Sequence, residues 1–480
     1  MNQERDREIG PFEANLRLGR AEYFLHRSYL RSMPRMLGLV LGNACNIDCP
    51  HCYQEKNGDN LLRPADVAAD LRREFLSLYP YLRTLRIQGG EALAYRGFGE
   101  LVEDVASVTR RPVLSVSTNG TLLDDRWAER MVRLPFASVT ISIDGATAAT
   151  YARLRRGSQL ESVLANAARL RKWKEKLNSS LPELDSFFVI LRSNFREIPR
   201  YLALMHENGF TEVALQTVEI NRANSTREPF LAEEEVLSAR AEVAELYGLM
   251  RETLPRARAC FRAVRVSGLK TLFETHGFDA SFLREQENGL YPDSEDLALP
   301  PEARTGVHDR GIAGPFELCP NPWTTLFVAE NGGVHLCFLA EPLGSLYEAP
   351  LIEIWNSPRA VAKRLQMIQG RYMASGCSQR WCAWREGKAA PCAAPEISAA
   401  LREEALAVEP AAAGPFRVIG NPPVPSGLPA VRRTLLENNR RLKEMEQAVR
   451  AMDEEFQRMR RSILVRAAAR ISREWDRLNS

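Results

Sequence analysis

The 480-residue chain has no apolar run approaching the length of a membrane span, so its sequence offers no candidate transmembrane helix. It also lacks an excess of either charge: 64 Lys and Arg stand against 61 Asp and Glu, a formal balance of +3. That leaves no electrostatic footprint for nucleic acid as the main partner. No signal-peptide pattern opens the sequence, because Met1 to Gly10 is polar and charged. Nine cysteines without a secretion signal point to a reducing compartment and to metal ligation rather than disulfides, and predict a cytoplasmic protein. The remaining composition, 45% hydrophobic and 26% charged, is that of an ordinary soluble protein with room for several domains.

What is present is a concentration of thiols. Cys45, Cys49 and Cys52 fall within Asn43-Ala44-Cys45-Asn46-Ile47-Asp48-Cys49-Pro50-His51-Cys52-Tyr53, directly after the apolar run Met36–Leu41. Soft thiolates at this spacing can wrap one side of a cubane iron–sulfur cluster. Three is one short of the four that saturate such a cluster, and an iron without a protein ligand can bind a small molecule. A structural zinc site would want a fourth Cys or His, usually in two separated pairs, and His51 inside the loop is poorly placed for it.

Residues 36 to about 216 alternate short β-rich runs with amphipathic stretches. Strands are expected at Met36–Leu41, Leu82–Gln88, Val113–Thr118, Ser138–Ile143, Phe187–Leu191 and Glu212–Gln216. Helical patterns lie between them, at Pro64–Leu78, Phe98–Val108, Asp125–Val132, Leu160–Leu177 and Ile198–Asn208. Such alternation argues for a parallel sheet with right-handed crossovers, open or partly closed into a barrel. The ligand site then belongs at the carboxyl ends of the strands, which is where the cysteine loop lies.

Each later strand ends in a polar or glycine-rich cluster. Gln88-Gly89-Gly90-Glu91 follows the second; its glycines allow close backbone approach and Glu91 can take an ammonium group. Ser117-Thr118-Asn119-Gly120 follows the third, and Ser142-Ile143-Asp144-Gly145 the fourth. Ser142 and Asp144, two apart on a strand, are expected on one side. Arg155 and Arg156 come next and can clamp a carboxylate. Any one cluster is bland, since paired glycines most often make a turn; four in order behind a cysteine triplet are not.

On these residues the chain resembles the radical S-adenosylmethionine (radical SAM) enzymes, whose hallmark is Cys-x3-Cys-x2-Cys after the first strand of a partial barrel. The resemblance covers roughly residues 36–220 and implies a [4Fe–4S] cluster on Cys45, Cys49 and Cys52, with the open iron chelated by SAM. It implies that Gly89, Gly90 and Glu91 meet the methionine amino group, and that Ser117, Asn119, Ser142 and Asp144 lie around the ribose. Arg155 looks like the arginine that approaches the SAM carboxylate, although Arg156 is adjacent. His51 takes the place of an aromatic residue that usually contacts the adenine, and Ala92 stands where the family often has proline. The chemistry implied is reductive cleavage of SAM to a 5′-deoxyadenosyl radical, which abstracts hydrogen from a substrate carbon. An electron donor such as flavodoxin or ferredoxin is implied with it.

The cysteines return at Cys319, Cys337, Cys377, Cys382 and Cys392. An apparent hairpin places Phe327–Ala329 and Val334–Phe338 around the turn Glu330-Asn331-Gly332-Gly333. The pattern Cys-x12-Gly-x4-Cys resembles the SPASM and twitch extensions of radical SAM enzymes, which hold auxiliary [4Fe–4S] clusters. The Cys-x2-Cys pair of a full two-cluster SPASM domain is missing here. One auxiliary cluster on Cys319, Cys337, Cys377 and Cys382 is therefore expected, with Cys392 as substitute, Cys260 as an unrelated thiol, and a four-thiolate zinc site as the alternative.

The expected architecture is α/β: a partial (β/α)6 TIM-like barrel of the radical SAM type, a small α+β cysteine-rich SPASM/twitch-like domain and a C-terminal helical coiled coil. In order these are an N-terminal helical extension (1–35), the core (36–220), a bridging segment (221–310), the auxiliary-cluster domain (311–395), an Ala/Pro-rich linker (396–430) and the coiled coil (431–480). The bridging segment reads as a charged helix around Leu231–Arg251 followed by irregular loops. In the last segment Leu435, Asn438, Leu442, Met445, Val449, Met452, Phe456, Met459 and Ile463 keep an alternating spacing of three and four, an a/d seam that predicts a homo-oligomer. Beyond it the end turns basic, with a membrane surface as a weak partner.

The substrate is expected to be a peptide, in a maturase-type modification; against this, residues 1–35 are too short for a peptide-recognition domain. The alternatives are dehydrogenation or epimerisation of a sugar- or aminocyclitol-type small molecule, and a non-catalytic zinc-stabilised scaffold. No catalytic acid or base is identifiable; Gln216, Glu219 and Arg222 are candidates only to face the substrate.

Overall fold

The structure, a computed structural model, describes residues 10–24, 26–54, 65–134, 136–218, 234–283, 319–337 and 341–368. Its centre is one sheet in which β1 (Met36–Val40), β2 (Thr84–Gln88), β3 (Val113–Thr118), β4 (Phe136–Ser142), β5 (Glu183–Ile190), β6 (Glu212–Thr217) and β7 (Ala263–Ser267) lie in sequence order, every neighbouring pair parallel. On the other side of β1 come β8 (Thr325–Val328), parallel to it, then β9 (Gly333–His335) and β10 (Gly344–Ser345), joined by antiparallel pairings.

The helices are α1 (Pro11–Phe24), α2 (Ala65–Leu78), α3 (Phe98–Ser107), α4 (Asp125–Arg133), α5 (Ala148–Leu154), α6 (Leu160–Lys176), α7 (Ile198–Glu207), α8 (Arg240–Cys260), α9 (Leu269–Thr275), α10 (Asn321–Thr324), α11 (Leu351–Trp355) and α12 (Pro358–Ile368). Their starts are marked in the sequence: Asp124 caps α4 by accepting from Trp127 N at 2.8 Å, and Thr147 caps α5 by accepting from Thr150 N. Glu197 ties that second cap to the β5–α7 connection, accepting from Ala146 N and the Thr147 and Thr150 hydroxyls.

The two faces of the sheet differ. Leu85, Ile87, Leu114, Val116, Val139, Ile141, Val213 and Leu215 are at most 1% exposed and belong to the continuous core beneath the helices. The residues between them are mostly half-buried and polar. Alternation of this kind makes the strands readable, because successive side chains point to opposite faces.

Two differences from expectation concern the ends of the barrel. β5 begins at Glu183, four residues before the expected start, because Glu183 and Asp185 lie on the polar face, opposite Arg262 and Arg265 of the β7 region. The segment 221–310, expected to be a helix and loops, supplies α8, β7 and α9, with β7 extending the parallel sheet past β6. Its charged helix begins at Arg240 rather than near Leu231. The hairpin around Glu330–Gly333 forms as expected, with Phe327 opposite His335 and Val328 opposite Val334.

The C-terminal described elements are sewn to the N-terminal segment. Trp355 Nε1 donates to Ser32 O, Trp323 Nε1 to Arg27 O, and Asn356 exchanges hydrogen bonds with the main chain of Leu30. Arg364, fully buried, donates to the carbonyls of Pro322, Ser28 and Trp355 and lies 4.4 Å from the Trp355 ring centre. The hairpin of β8 and β9 is thereby fixed beside β1, with the Phe327 ring filling the space a side chain at Gly38 would need. Among the described residues no helix is long and apolar enough to cross a membrane. The linker, the heptad seam, the basic end, Glu219 and Arg222 lie outside the described residues.

Candidate active site

The loop after β1 carries Cys45, Cys49 and Cys52, none in a disulfide, with Cys49 buried and the other two half-buried. It is held from three sides. Glu91 N donates to Ala44 O at 3.0 Å and Tyr95 Oη to the same carbonyl at 3.1 Å; Asp48 N donates to Arg156 O at 2.8 Å. Gln54, just past the triplet, accepts from Gly90 N at 2.8 Å and so fastens the loop to the turn after β2. Gly90, at φ +31°, has no room for a side chain, since a Cβ there would lie 1.8 Å from Ala44 O. Loop and turn therefore meet backbone to backbone, as a shallow cradle for thiolates requires.

Two side chains reach the sulfurs. Asn119 Nδ2 lies 3.6 Å from Cys45 Sγ and 2.9 Å from Asn46 Oδ1; Arg155 Nη1 lies 3.7 Å from Cys49 Sγ. Burial pushes the Cys49 thiol up to about 11, opposed by the charge of Arg155, and burial likewise raises Cys45. A metal centre would remove those protons outright. Among the described residues no three Cys, His, Asp or Glu side chains converge on a single ion. Thiolates on separate irons of a cluster need no such convergence, so the donor set, the donors to sulfur and the side-chain-free cradle fit a cubane cluster.

Behind the loop lies a buried charged group. Asp144 is fully buried; its Oδ2 is 2.9 Å from His51 Nε2 and 2.5 Å from Arg155 Nε, and its Oδ1 accepts from Val189 N at 2.7 Å. Burial works against its ionisation, but Arg155 and then His51 outweigh it and bring the carboxyl down to about 2. Burial disfavours the Arg155 charge in turn, and Asp144, with Cys49 next, more than restores it. Of the two adjacent arginines it is Arg155 that faces the site; Arg156 is exposed and lends its carbonyl to the loop.

The other expected contacts occupy definite places. Glu91 is fully buried and accepts from the Thr118 hydroxyl and Asn119 N, both at 2.7 Å, and from Leu93 N at 3.1 Å. Burial raises its carboxyl above the ordinary range while these donors oppose the rise. Ser117 and Ser142 stand half-buried on the polar face of the sheet. β4 ends at Ser142, so the strand alternation expected to align Ser142 with Asp144 stops short, and Asp144 turns into the protein. Gln54 and Tyr95 are not among the residues expected from the sequence, and Thr118 belongs to the third strand-end cluster without a role of its own there; each acts through a contact with chain at least 27 residues away.

Cys319 is buried before α10 and Cys337 follows β9, at the base of the hairpin beside β1. Burial pushes the Tyr95 phenol up to about 12, opposed by its bond to Ala44 O, with the charges of Cys45, Glu330 of the hairpin turn and Glu91 adding to the rise. Cys377, Cys382 and Cys392 lie outside the described residues, and Cys260 is an exposed free thiol at the end of α8.

Residues 39–175 match the model of the radical SAM superfamily, and residues 319–383 match that of the SPASM iron–sulfur cluster-binding domain. Over 137 residues the chain is 33% identical to GTP 3′,8-cyclase of Mycolicibacterium smegmatis, covering 28% of this chain and 37% of that one. Over 188 residues it is 24% identical to the probable GTP 3′,8-cyclase of Methanocaldococcus jannaschii, covering 38% and 58%. The chain thus matches well under two thirds of these relatives' length. Among solved structures, Streptococcus suis SuiB bound to precursor peptide SuiA aligns with a TM-score of 0.48 at 14% identity, over 71% of this chain and 68% of that one. The chain thus carries a radical SAM domain over residues 39–175 and a SPASM domain over residues 319–383. The first domain implies SAM and a [4Fe–4S] cluster, and the second implies auxiliary iron–sulfur clusters.

Proposed function

We propose that this radical SAM protein binds a [4Fe–4S] cluster through Cys45, Cys49 and Cys52, cleaves SAM reductively at its open iron, and abstracts hydrogen from a substrate held at the strand ends. The observation that carries this reading is the chain of contacts from His51 through Asp144 and Arg155 to Cys49 Sγ. It fixes a guanidinium beside one sulfur at the mouth of the barrel, where it can meet the carboxylate of SAM. When bound, cluster and SAM supply a 5′-deoxyadenosyl radical able to attack an unactivated carbon.

The residues around them position and shield. Glu91, held by three donors, sets the turn of Gly89 and Gly90, whose carbonyls are to accept from the methionine amino group. Ser117 and Ser142, at or next to the ends of β3 and β4, are hydroxyls that can meet a ribose. Asp144 acts through His51 and Arg155, with both carboxylate oxygens already engaged rather than turned toward a ribose. Cys319 and Cys337, with Cys377 and Cys382, hold one auxiliary cluster, and a flavodoxin- or ferredoxin-type protein supplies electrons.

For the substrate, the GTP 3′,8-cyclase relatives act by name on a small molecule, and the polar face of the sheet favours that class over the peptide reading. Anaerobic reconstitution tests the core of the proposal. About four irons and four sulfides on the first site, with an electron paramagnetic resonance signal that changes on adding SAM, support it; a signal indifferent to SAM refutes it.

A further inference from the structure

Parallel strands packed on both faces usually read as near-continuous apolar runs, and closed (β/α) barrels fill their interior with branched residues. This sheet departs from both habits. β2 runs Thr84-Leu85-Arg86-Ile87-Gln88, β3 Leu114-Ser115-Val116-Ser117 and β4 Val139-Thr140-Ile141-Ser142. The apolar members face the helices, and the polar members share the other face.

The strand pairings set those polar residues in rows. Arg86 lies opposite Ser115, and Ser115 opposite Ser138; one row nearer the strand ends, Ser117 lies opposite Thr140 and Thr140 opposite Asp185. Further round, Ser142 adjoins Phe187, and Gln216 adjoins Val189 and Ser267. The same rows run on into charged groups: Glu183 adjoins Ser138 and pairs with Arg262, and Glu212 adjoins Asp185 and pairs with Arg265 at 2.5 Å. Gln88, Ser115, Ser138, Thr140 and Gln216 are all half-buried, and among the described residues none of their side chains hydrogen-bonds to another protein group. A polar group kept half-buried without a partner is satisfied by water or ligand.

We propose that this trough binds a compact polyhydroxylated substrate, of sugar, cyclitol or nucleoside type, through Ser115, Ser138, Thr140, Gln88 and Gln216. This rests on the reading of the strand ends as a radical SAM centre, since the trough opens toward them. Hydroxyls and carboxamides both donate and accept, so they match a ring of hydroxyls whose donors and acceptors alternate. Phe187, half-buried beside Ser142, supplies an apolar surface for the carbon face of such a ring. An apolar side chain in the same place would strip water from these groups and return nothing. A site built to hydrogen-bond hydroxyls rejects analogues without them strongly.

The test uses the full-chain holoenzyme under anaerobic reducing conditions with SAM. Two libraries are compared, one of free sugars, cyclitols and nucleosides and one of apolar and aromatic amides including short peptides. 5′-Deoxyadenosine release and probe binding by calorimetry are read together. At least one polyhydroxylated probe should bind and stimulate release, and Thr140→Val should weaken that probe at least tenfold more than it weakens SAM, with Thr140→Ser restoring most of the loss. Stimulation confined to the apolar library, no stimulation by any polyhydroxylated probe, or a Thr140→Val variant that binds the probe as wild type does, overturns the proposal. Absence of any SAM cleavage, with or without probe, would instead refute the radical SAM reading itself, so the two failures are distinct.

Discussion

Asp144 Oδ2 lies 2.5 Å from Arg155 Nε, with the carboxylate fully buried and the arginine side chain only 11% exposed. A buried ion pair of this kind is a positioning device first. Its Coulomb energy is largely offset by the cost of taking both charges out of water.

Asp144→Ala leaves Arg155 as a buried charge without its carboxylate and His51 without its acceptor. Breaking such a pair costs about 3–5 kcal/mol, so the variant should unfold at markedly lower urea concentration than wild type. Asp144→Asn keeps the volume and a hydrogen bond. It should retain most of the stability and the cluster but bind SAM at least tenfold more weakly, measured by anaerobic calorimetry.

Gly90→Ala places a methyl group where Ala44 O already is, 1.8 Å from the ideal Cβ position. The turn or the cysteine loop must move, and the Gln54–Gly90 and Glu91–Ala44 bonds are strained with it. Iron retained after reconstitution and desalting should fall several-fold. Full retention would show that loop and turn are not rigidly coupled.

A carboxyl in the polar rows of the sheet should make stability depend on pH. Asp185 is raised from 3.8 to about 7, chiefly by burial and next by Glu212, with Arg265 opposing. A carboxyl whose folded value is raised contributes stability that is fully present below its unfolded value, here 3.8, and is lost as pH rises toward about 7. Within that window the loss is about 1.4 kcal/mol for each pH unit. Asp185→Asn should remove that loss, so urea midpoints of wild type and variant should diverge as pH rises from about 5 to 7. Parallel curves would contradict the assignment.

Trp355→Phe removes the donor to Ser32 O, one of the bonds holding the C-terminal elements to the N-terminal segment. The stranded buried carbonyl should cost about 1–3 kcal/mol in urea unfolding. A cost near zero would mean that Arg364 and Asn356 carry the docking without it.

Much of the fold is legible in the sequence because the strands alternate. Val113–Thr118 and Glu212–Gln216 show their period directly, and the strand ends then order the cysteine loop, Gly89-Gly90-Glu91 and Ser117-Thr118-Asn119 around one site. The start of β5 is hidden because Glu183 and Asp185 look like loop residues until Arg262 and Arg265 are beside them. β7, Ala263-Val264-Arg265-Val266-Ser267, alternates as β2 does, but it lies in a segment whose charged helix and later acidic and Pro-rich stretches read as a bridge. The role of Asp144 is illegible for a different reason: its partners include Val189 and Asn194 from β5 and the turn after it, a relationship only the folded chain creates.

The central claim is that Cys45, Cys49 and Cys52 support reductive cleavage of SAM. Its most direct test is 5′-deoxyadenosine formed from SAM by the anaerobically reconstituted, reduced protein, set against a variant with all three cysteines changed to Ala. Turnover by wild type and none by the variant, with the variant still folded by circular dichroism, is the predicted result. Equal 5′-deoxyadenosine from both proteins would contradict it.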